Sequence, residues 1–512
     1  MDDAFNAESS QFDHLDNISS DWLQWCCFYK TCSLIFQLFL SWLMWCLTKY
    51  LWRMYFLRMR DVDSALPLPP GEMGYPIIGE TLQFFRQGAD FYNRRIAKYG
   101  RVFKTHLLGS PTVRVIGSEN VRKILLGEHI IVDMKIPRSA SLLFGSGAIV
   151  NSSGDHHRLR KKSLQKAFNP EFLSSCIPNI RRLVRKWCED LCNEGEVLGF
   201  ERCKVLMTTI SAEVLLGFNM EDVGRIEELM TQFENITNAV FTFPWQIPGT
   251  SFAKAMKSRA ILVKDIKQRL QKEASSQSED VSMTDVLRSL DTEDDSSTAD
   301  DLADSLLEMW LAGHLTQSSA ACSLILCVGR DDGVRNNIEM ELERHHLIGS
   351  DEDVDLTYNG INQLIYTSNV VKEVLRLYPP AGGGFRQTKS TIEVGGYQIP
   401  KGWTVIYSIR DTHQTTDLFT DPQDFRPERW QHVDIDQDLS QRFNYIPFSA
   451  GARRCLGEKF ANLVLKLFLI EVVGYYNWTL RNKNPSMRYL PSTHPVDKLP
   501  VSFSRKVPHH MK

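Results

Sequence analysis

The sequence predicts a mainly α-helical protein with a small β region, preceded by one N-terminal transmembrane helix. Three observations carry this. Residues 31–48, TCSLIFQLFLSWLMWCLT, form an uncharged run just long enough to cross a hydrocarbon core once Lys30 and Lys49 snorkel. From Val121 onward apolar residues recur mostly at helical spacing. The clearest strand signals, residues 102–108 and 112–116, flank the turn Gly109-Ser110-Pro111 and read as a hairpin. With 512 residues, 43% apolar and 24% charged, the chain has room for a large core and lacks the composition of a disordered protein. A net charge of −3 gives no general case for nucleic acid. Eleven scattered cysteines without zinc-like pairs argue against a disulfide framework in a chain this long.

Charge order sets the orientation of the apolar run. Asp2, Asp3, Glu8, Asp13, Asp16 and Asp21 precede it, and Lys49, Arg53, Arg58 and Arg60 follow it. A cleaved signal peptide would carry its positive end first; here the positive end comes last, which predicts an uncleaved anchor with the bulk of the chain in the cytosol. Residues 1–30 are then lumenal, 31–48 the anchor, 49–71 a basic and proline-rich linker, and 72–512 the folded domain. Leu66-Pro-Leu-Pro-Pro-Gly71 is too stiff for helix and suits a spacer that fixes the domain's angle to the membrane. The charged, Ser-rich residues 274–297 predict a surface loop.

Thr298-Ala-Asp-Asp301 has the spacing of a capping box and opens a long helical pattern. Gly313 lies inside it, where glycine costs about 1 kcal/mol against alanine, so something is expected to approach the backbone there. Thr316 follows one turn later and either faces that visitor or bonds back within its own helix. Glu373 and Arg376 stand at i,i+3 on another helical pattern; such pairs are ordinarily solvated. Residues 448–457, FSAGARRCLG, place Cys455 on a glycine-bearing loop that feeds an apolar helix through Phe460, Leu463, Val464 and Leu467. Unpaired N–H groups and the helix dipole favour a thiolate there, which suits a metal ligand, although most free cysteines are simply buried.

The spacing F-x-x-G-x-R-x-C-x-G, met by Phe448, Gly451, Arg453, Cys455 and Gly457, resembles the haem-binding loop of the cytochrome P450 monooxygenases. The resemblance extends to Glu373-Val-Leu-Arg376, to Phe425-Arg-Pro-Glu-Arg429-Trp430 and to the helix around Gly313, and covers the chain from Leu66 to Phe503. It implies the cytochrome P450 fold as a single catalytic domain, haem b with Cys455 as axial thiolate, and Arg386 and Arg453 facing the propionates. His157 and Lys161 stand where the family usually has tryptophan and arginine, and both can donate a hydrogen bond. Gly313 and Thr316 would organise dioxygen. Glu373, Arg376 and Arg429 would interlock as scaffold for the thiolate loop. The chain departs from the family at Leu315, where an acid is expected, and at Gln317, where a hydroxyl is expected. Glu308, eight residues before Thr316 and about 12 Å along the helix, is too far to substitute directly.

Among the family's branches the chain is most similar to the retinoic acid hydroxylases, through PPGEMG (69–74), GETLQ (79–83), PTVRV (111–115), GGFR (383–386) and GYQIPKGW (396–403). Carried over one position at a time, Phe241, Gly383 and Phe385 match pocket walls, Leu311 takes a phenylalanine's place, Val496 joins the apolar lining, and Arg114 matches a carboxylate-binding arginine. The expectation is an endoplasmic-reticulum monooxygenase, single-pass with a cytoplasmic catalytic domain, that hydroxylates a hydrophobic isoprenoid acid, foremost retinoic acid, in retinoic acid catabolism. Its partners would be membrane lipid, the hydrophobic substrate and an NADPH-cytochrome reductase, since no phosphate-cradling βαβ motif is present. The basic residues Arg158, Arg160, Lys161, Lys162 and Lys166 form either a docking face for that reductase or a solvated helix face. Alternatives are a sterol or terpenoid hydroxylase, a haem-thiolate isomerase or dehydratase, which Leu315 would favour, and a haem-binding protein with little turnover.

Overall fold

The structure, a computed structural model, describes residues 2–218, 220, 223–271, 282–291, 298–348, 356–433 and 441–506. The uncharged run lies inside one continuous helix, α1 (Asp2–Arg58). Of this helix Phe28–Phe56 is long and apolar enough to span, at a mean hydropathy of 1.5, and none of its most apolar window is buried in protein. The helix therefore continues through residues 49–58, which the sequence reading assigned to the linker. Nothing there breaks a helix, and the first proline is Pro67. The end of α1 docks on the domain. Phe56 is buried and lies edge-on to His106 and Trp403, while Trp52 contacts His106 at 5.4 Å. Gln398 accepts a hydrogen bond from the Asp61 N–H at 2.8 Å. Aromatic contact fixes the end of α1 to the domain.

The hairpin forms from β1 (Val102–Leu107) and β2 (Ser110–Val115), antiparallel with Val102 opposite Val115. Its turn is tighter than expected. Leu108 and Gly109, with φ of 52° and 76°, make the two-residue connection, and Ser110 and Pro111 already belong to the strand. Positive φ at both turn positions matches the right-handed twist of the flanking strands. With β3 (Val132–Met134), β4 (Gly383–Thr388) and β5 (Thr404–Ser408), the hairpin builds a five-stranded sheet of order β1-β2-β5-β4-β3. β2 and β5 run parallel, and the other pairs are antiparallel.

The remaining mass is helical. The helices that frame the site are α2 (Gly154–Lys166), α3 (Pro170–Glu194), α4 (Gly199–Ile210), α5 (Ala299–Arg330), α6 (Ile365–Leu377) and α7 (Glu458–Tyr475). Thr298 caps α5 by accepting from the Asp301 N–H, and Asp301 returns a bond to the Thr298 N–H. By composition α5 could also cross a membrane, but 72% of its most apolar window is buried inside the protein, which makes it a core helix. Helix α7 packs on α3 and α5, with Phe468 against Trp187 at 5.6 Å. Within the expected surface loop 274–297, Met283–Asp291 is helical, with Met283 and Leu287 buried. Apolar residues at i and i+4 outweigh the charges around them; residues 274–281 and 292–297 lie outside the described residues.

Phe468 is fully buried between helices, so Phe468→Ala should cost about 3–5 kcal/mol by urea unfolding, from lost transfer energy plus a cavity. Leu159, 69% exposed on α2, should change stability by less than about 0.5 kcal/mol when replaced by alanine.

Candidate active site

The site is assembled on a buried charge cluster. Glu373 and Arg376 sit one turn apart on α6, both wholly buried, and bond through Nε and a terminal nitrogen at 2.9 Å each. Arg429 Nε donates to the same carboxylate at 2.9 Å, Trp430 Nε1 at 3.0 Å and the Arg426 N–H at 2.9 Å. Arg376 also donates to the carbonyls of Pro422 and Asp424, which ties the chain before Pro427 onto α6. His413 extends the frame: its Nε2 accepts from the Ile446 N–H at 2.9 Å, and its Nδ1 lies 3.1 Å from the Arg376 carbonyl. Burial pushes its pKa down to about 3, so the ring is neutral and donates through Nδ1 to that carbonyl. His413 escaped the sequence reading.

From Ile446 the chain enters the cysteine loop. Ser449 and Gly451 take positive φ, and a Cβ on Gly451 would overlap the Leu125 carbonyl oxygen, so the loop closes only with glycine there. Phe448 accepts from the Cys455 N–H at 2.9 Å. Lys161 Nζ donates to the Ala452 and Arg454 carbonyls at 2.8 and 2.6 Å, so it braces the loop itself. The Cys455 side chain is exposed and lines a cavity. Burial raises its thiol pKa; the Gly457 N–H, Lys161 and Arg454 oppose this without overcoming it. Burial therefore works against the expected thiolate at this position. A bound cation would supply what is missing, because coordination deprotonates a thiol outright.

The cavity, about 370 Å³, lies between this loop and α5, and its lining includes Cys455, Phe448, Gly313, Thr316, His157 and Arg453. One soft ligand on one side, a glycine-bearing helix on the other and cationic or hydrogen-bonding groups at an edge fit a haem. Arg453 donates to Glu128 at 3.0 Å and to the carbonyls of Ile149 and Ser152, while Arg386, which does not line this cavity, bonds the other oxygen of Glu128. Glu128, absent from the sequence reading, thus sets the position of both arginines. His157 contacts His129 at 3.2 Å, and burial, reinforced by Arg453, drives its pKa down to about 3.

On α5, Ala312 and Thr316 open to the cavity, and Thr316 Oγ1 donates to the Ala312 carbonyl at 2.6 Å. Thr316 therefore both faces the cavity and bonds back within its helix. Leu315 packs against the core. Glu308 lines the cavity and accepts from the N–H groups of Ile149 and Val150 at 2.6 and 3.1 Å. Burial still lifts its pKa to about 7.

Of the expected substrate contacts, Gly383 lines this cavity; the others do not. Phe241 and Val496 are exposed, Leu311 packs on the main core, and Phe385 packs in a cluster with Phe84, Phe91 and Phe103. Arg114 is buried against Asp411 at 2.8 Å and Ser408 at 2.7 Å, with its guanidinium over Tyr92. Burial pushes the Asp411 carboxyl up, but Arg114 and Arg410 outweigh it and hold it well below the usual range. Its terminal nitrogen is thus engaged within the protein, and Arg114 does not line this cavity. Met134, Ile149, Val150, Leu215 and Met309 are walls that the sequence reading missed.

A mainly helical fold that presents one cysteine to a cavity beneath a glycine-bearing core helix defines a haem-thiolate enzyme. The cytochrome P450 family model matches residues 69–499, and the chain belongs to that family, whose members are haem-thiolate monooxygenases that take electrons from redox partners. It is 37% identical over 466 residues to cytochrome P450 26A1 of Danio rerio, covering 89% of this chain and 94% of that one. It is also 37% identical to cytochrome P450 26B1 of Mus musculus over 467 residues, covering 89% and 90%. Among solved structures, retinoic acid bound cyanobacterial CYP120A1 superposes with a TM-score of 0.76 at 30% identity, over 86% of this chain and 100% of that one. The N-terminal apolar helix is compatible with a membrane anchor.

Cys455→Ala should abolish the red-shifted Soret band of the reduced, carbon-monoxide-bound protein. Gly451→Ala should reduce the fraction of protein showing it, because the loop must move off Leu125. Glu308 yields a pH signature. Its folded pKa of about 7 lies above the ordinary 4.5, so the folded state holds the proton more tightly, and stability should fall as pH rises from about 4.5 to about 7. Urea midpoints measured across that window should show the slope flatten in Glu308→Gln, which keeps an acceptor for Ile149 and Val150.

Proposed function

We propose that this protein hydroxylates retinoic acid or a closely similar isoprenoid acid, as a step in retinoic acid catabolism. The observation that carries this is its likeness, across 86% of the chain, to a solved structure holding retinoic acid. An apolar lining supports it, since Met134, Ile149, Val150, Leu215 and Met309 suit a long hydrocarbon, at about 0.8 kcal/mol per buried CH₂.

The overall reaction joins R–H, O₂, two electrons and two protons to give R–OH and water. Bound haem supplies the activation of dioxygen. The chain's own residues do the rest. Cys455 would provide the thiolate, on the loop braced by Lys161 and Gly451; Glu373, Arg376 and Arg429 would fix that loop; Arg453, His157 and Phe448 would surround the haem, with Arg386 behind them on Glu128. Gly313 and Thr316 present an open, hydroxyl-bearing face to the reacting centre. Electrons would come from NADPH through a separate flavoprotein reductase, which the exposed Arg158, Lys162 and Lys166 of α2 suit electrostatically, Arg160 and Lys161 being turned inward. The charge order around α1 supports a single-pass anchor in the endoplasmic reticulum, residues 1–30 lumenal and the catalytic domain in the cytosol. Exposed Ile77, Leu82, Phe243 and Trp245 give the domain further apolar surface to lay on lipid.

Titrating retinoic acid, retinol and a neutral sterol against the haem-bound protein, read by the ligand-induced spin-state change, tests the substrate. Retinoic acid should bind more tightly than the sterol; the reverse would move the protein to a neighbouring branch. Arg114→Ala should leave the affinity for the acid within about twofold yet destabilise the fold by about 1.5–3 kcal/mol, because Asp411 loses one of its two buried arginine partners. A tenfold loss for the acid alone would return Arg114 to the site.

A further inference from the structure

Two polar groups beside Gly313 are buried and unanswered. Ser211 Oγ and Gln317 Oε1 have no hydrogen-bond partner among the described residues, and their residues are 0% and 5% exposed. Leaving such groups unpaired in a protein interior is costly, and ordered water is the usual remedy where two or more polar partners converge. Their side chains flank one gap: a Cβ on Gly313 would lie 3.3 Å from Ser211 Oγ and 3.7 Å from Nε2 of the Gln317 amide whose Oε1 is unanswered, so the missing side chain leaves a notch between the hydroxyl and the amide. Both Gly313 and Gln317 line the cavity, so the notch opens toward the reacting centre. Ser211 begins a π-helical turn, Ser211–Leu215, whose last residue reaches the same cavity. Such turns recur at functional sites. Behind the notch the polar seam between α4 and α5 continues: Thr208 Oγ1 meets His314 Nδ1 at 2.6 Å, and Ser318 donates to the His314 carbonyl at 2.5 Å.

We propose that Gln317 and Ser211 hold a water in the notch over Gly313, and that this amide–hydroxyl pair delivers protons in place of the acid that Leu315 does not supply. The proposal rests on the monooxygenase reading above. Two protons and two electrons must reach dioxygen for one oxygen atom to enter R–H and the other to leave as water. When the two protons come from bulk water and not through the ordered one, the O–O bond stays intact, O₂ leaves with two electrons and two protons as peroxide, and R–H is recovered unchanged. Gln317 and Ser211 are positioning residues: neither carries the proton as a charged acid, and both orient the water that does.

The experiment uses the haem-bound full chain with reductase, NADPH and retinoic acid. Gln317→Leu and Ser211→Ala should each lower product formed per NADPH by at least threefold and raise peroxide to match. The double variant should be no worse than the worse single, since both act through one water, while Gln317→Glu should retain or raise the product fraction. An intact carbon-monoxide band shows that each variant is folded around its haem. A second readout is independent of turnover: a high-resolution crystal structure should show a water within hydrogen-bond distance of both side chains, lost in Ser211→Ala. Unchanged product per NADPH in the single variants overturns the proposal, and so does a clearly resolved notch without water. If the natural protein yields no retinoid product, the substrate reading has failed; the notch density then decides this proposal by itself.

Discussion

Glu373 is a carboxylate with no exposed surface that accepts from Arg376, Arg429, Trp430 and the Arg426 backbone, and the architecture around Cys455 depends on it. Taking a carboxylate and two guanidinium groups out of water is expensive, and the pairing repays it only when nearly every donor and acceptor is met. Here they are met by backbone carbonyls from 420–424 as well as by one another. What the cluster contributes is register. It fixes the segment before Pro427 on α6, and His413 carries that reference from the Arg376 carbonyl to Ile446, two residues before Phe448.

The cavity is then bounded by rigid parts on both sides. Gly451 lets the loop approach Leu125, Lys161 grips two of its carbonyls, and Arg454 pairs with Glu458 at the start of α7. Opposite, α5 is held by Asp304 on the Gly147 N–H and by Glu308 on Ile149 and Val150, so the segment over the cavity edge hangs from the helix that carries Gly313. Burial opposes charge at several of these groups. Cys455 and Glu308 are pushed up, and His157 is pushed down. A low-dielectric space that disfavours an isolated thiolate accepts one readily once a cation neutralises it.

What could be read from the chain alone was local. The cysteine loop, the capping box and the i,i+3 acid–base pair are spacings within ten residues or fewer. The hairpin was visible too, though its turn moved because positive φ at Leu108 has no signature in residue type. What stayed hidden were partners distant in sequence. Glu128 meets Arg386 across 258 positions, and Asp411 meets Arg114 across 297, and each pairing changes what the arginine can do. Arg114 thus carried a binding role by resemblance and a structural one by packing. Ser211 gave no signal at all, since a serine in an apolar helical stretch is unremarkable until α5 lies against it.

The central claim is that a thiolate-held haem in this cavity inserts an oxygen atom from O₂ into a retinoid. Labelled dioxygen tests it most directly. Retinoic acid incubated with the haem-bound protein, reductase and NADPH under ¹⁸O₂ in ordinary water should yield a hydroxylated product carrying one ¹⁸O atom, as read by mass spectrometry. A product whose new oxygen comes from water, or a product formed equally without NADPH, would contradict the account.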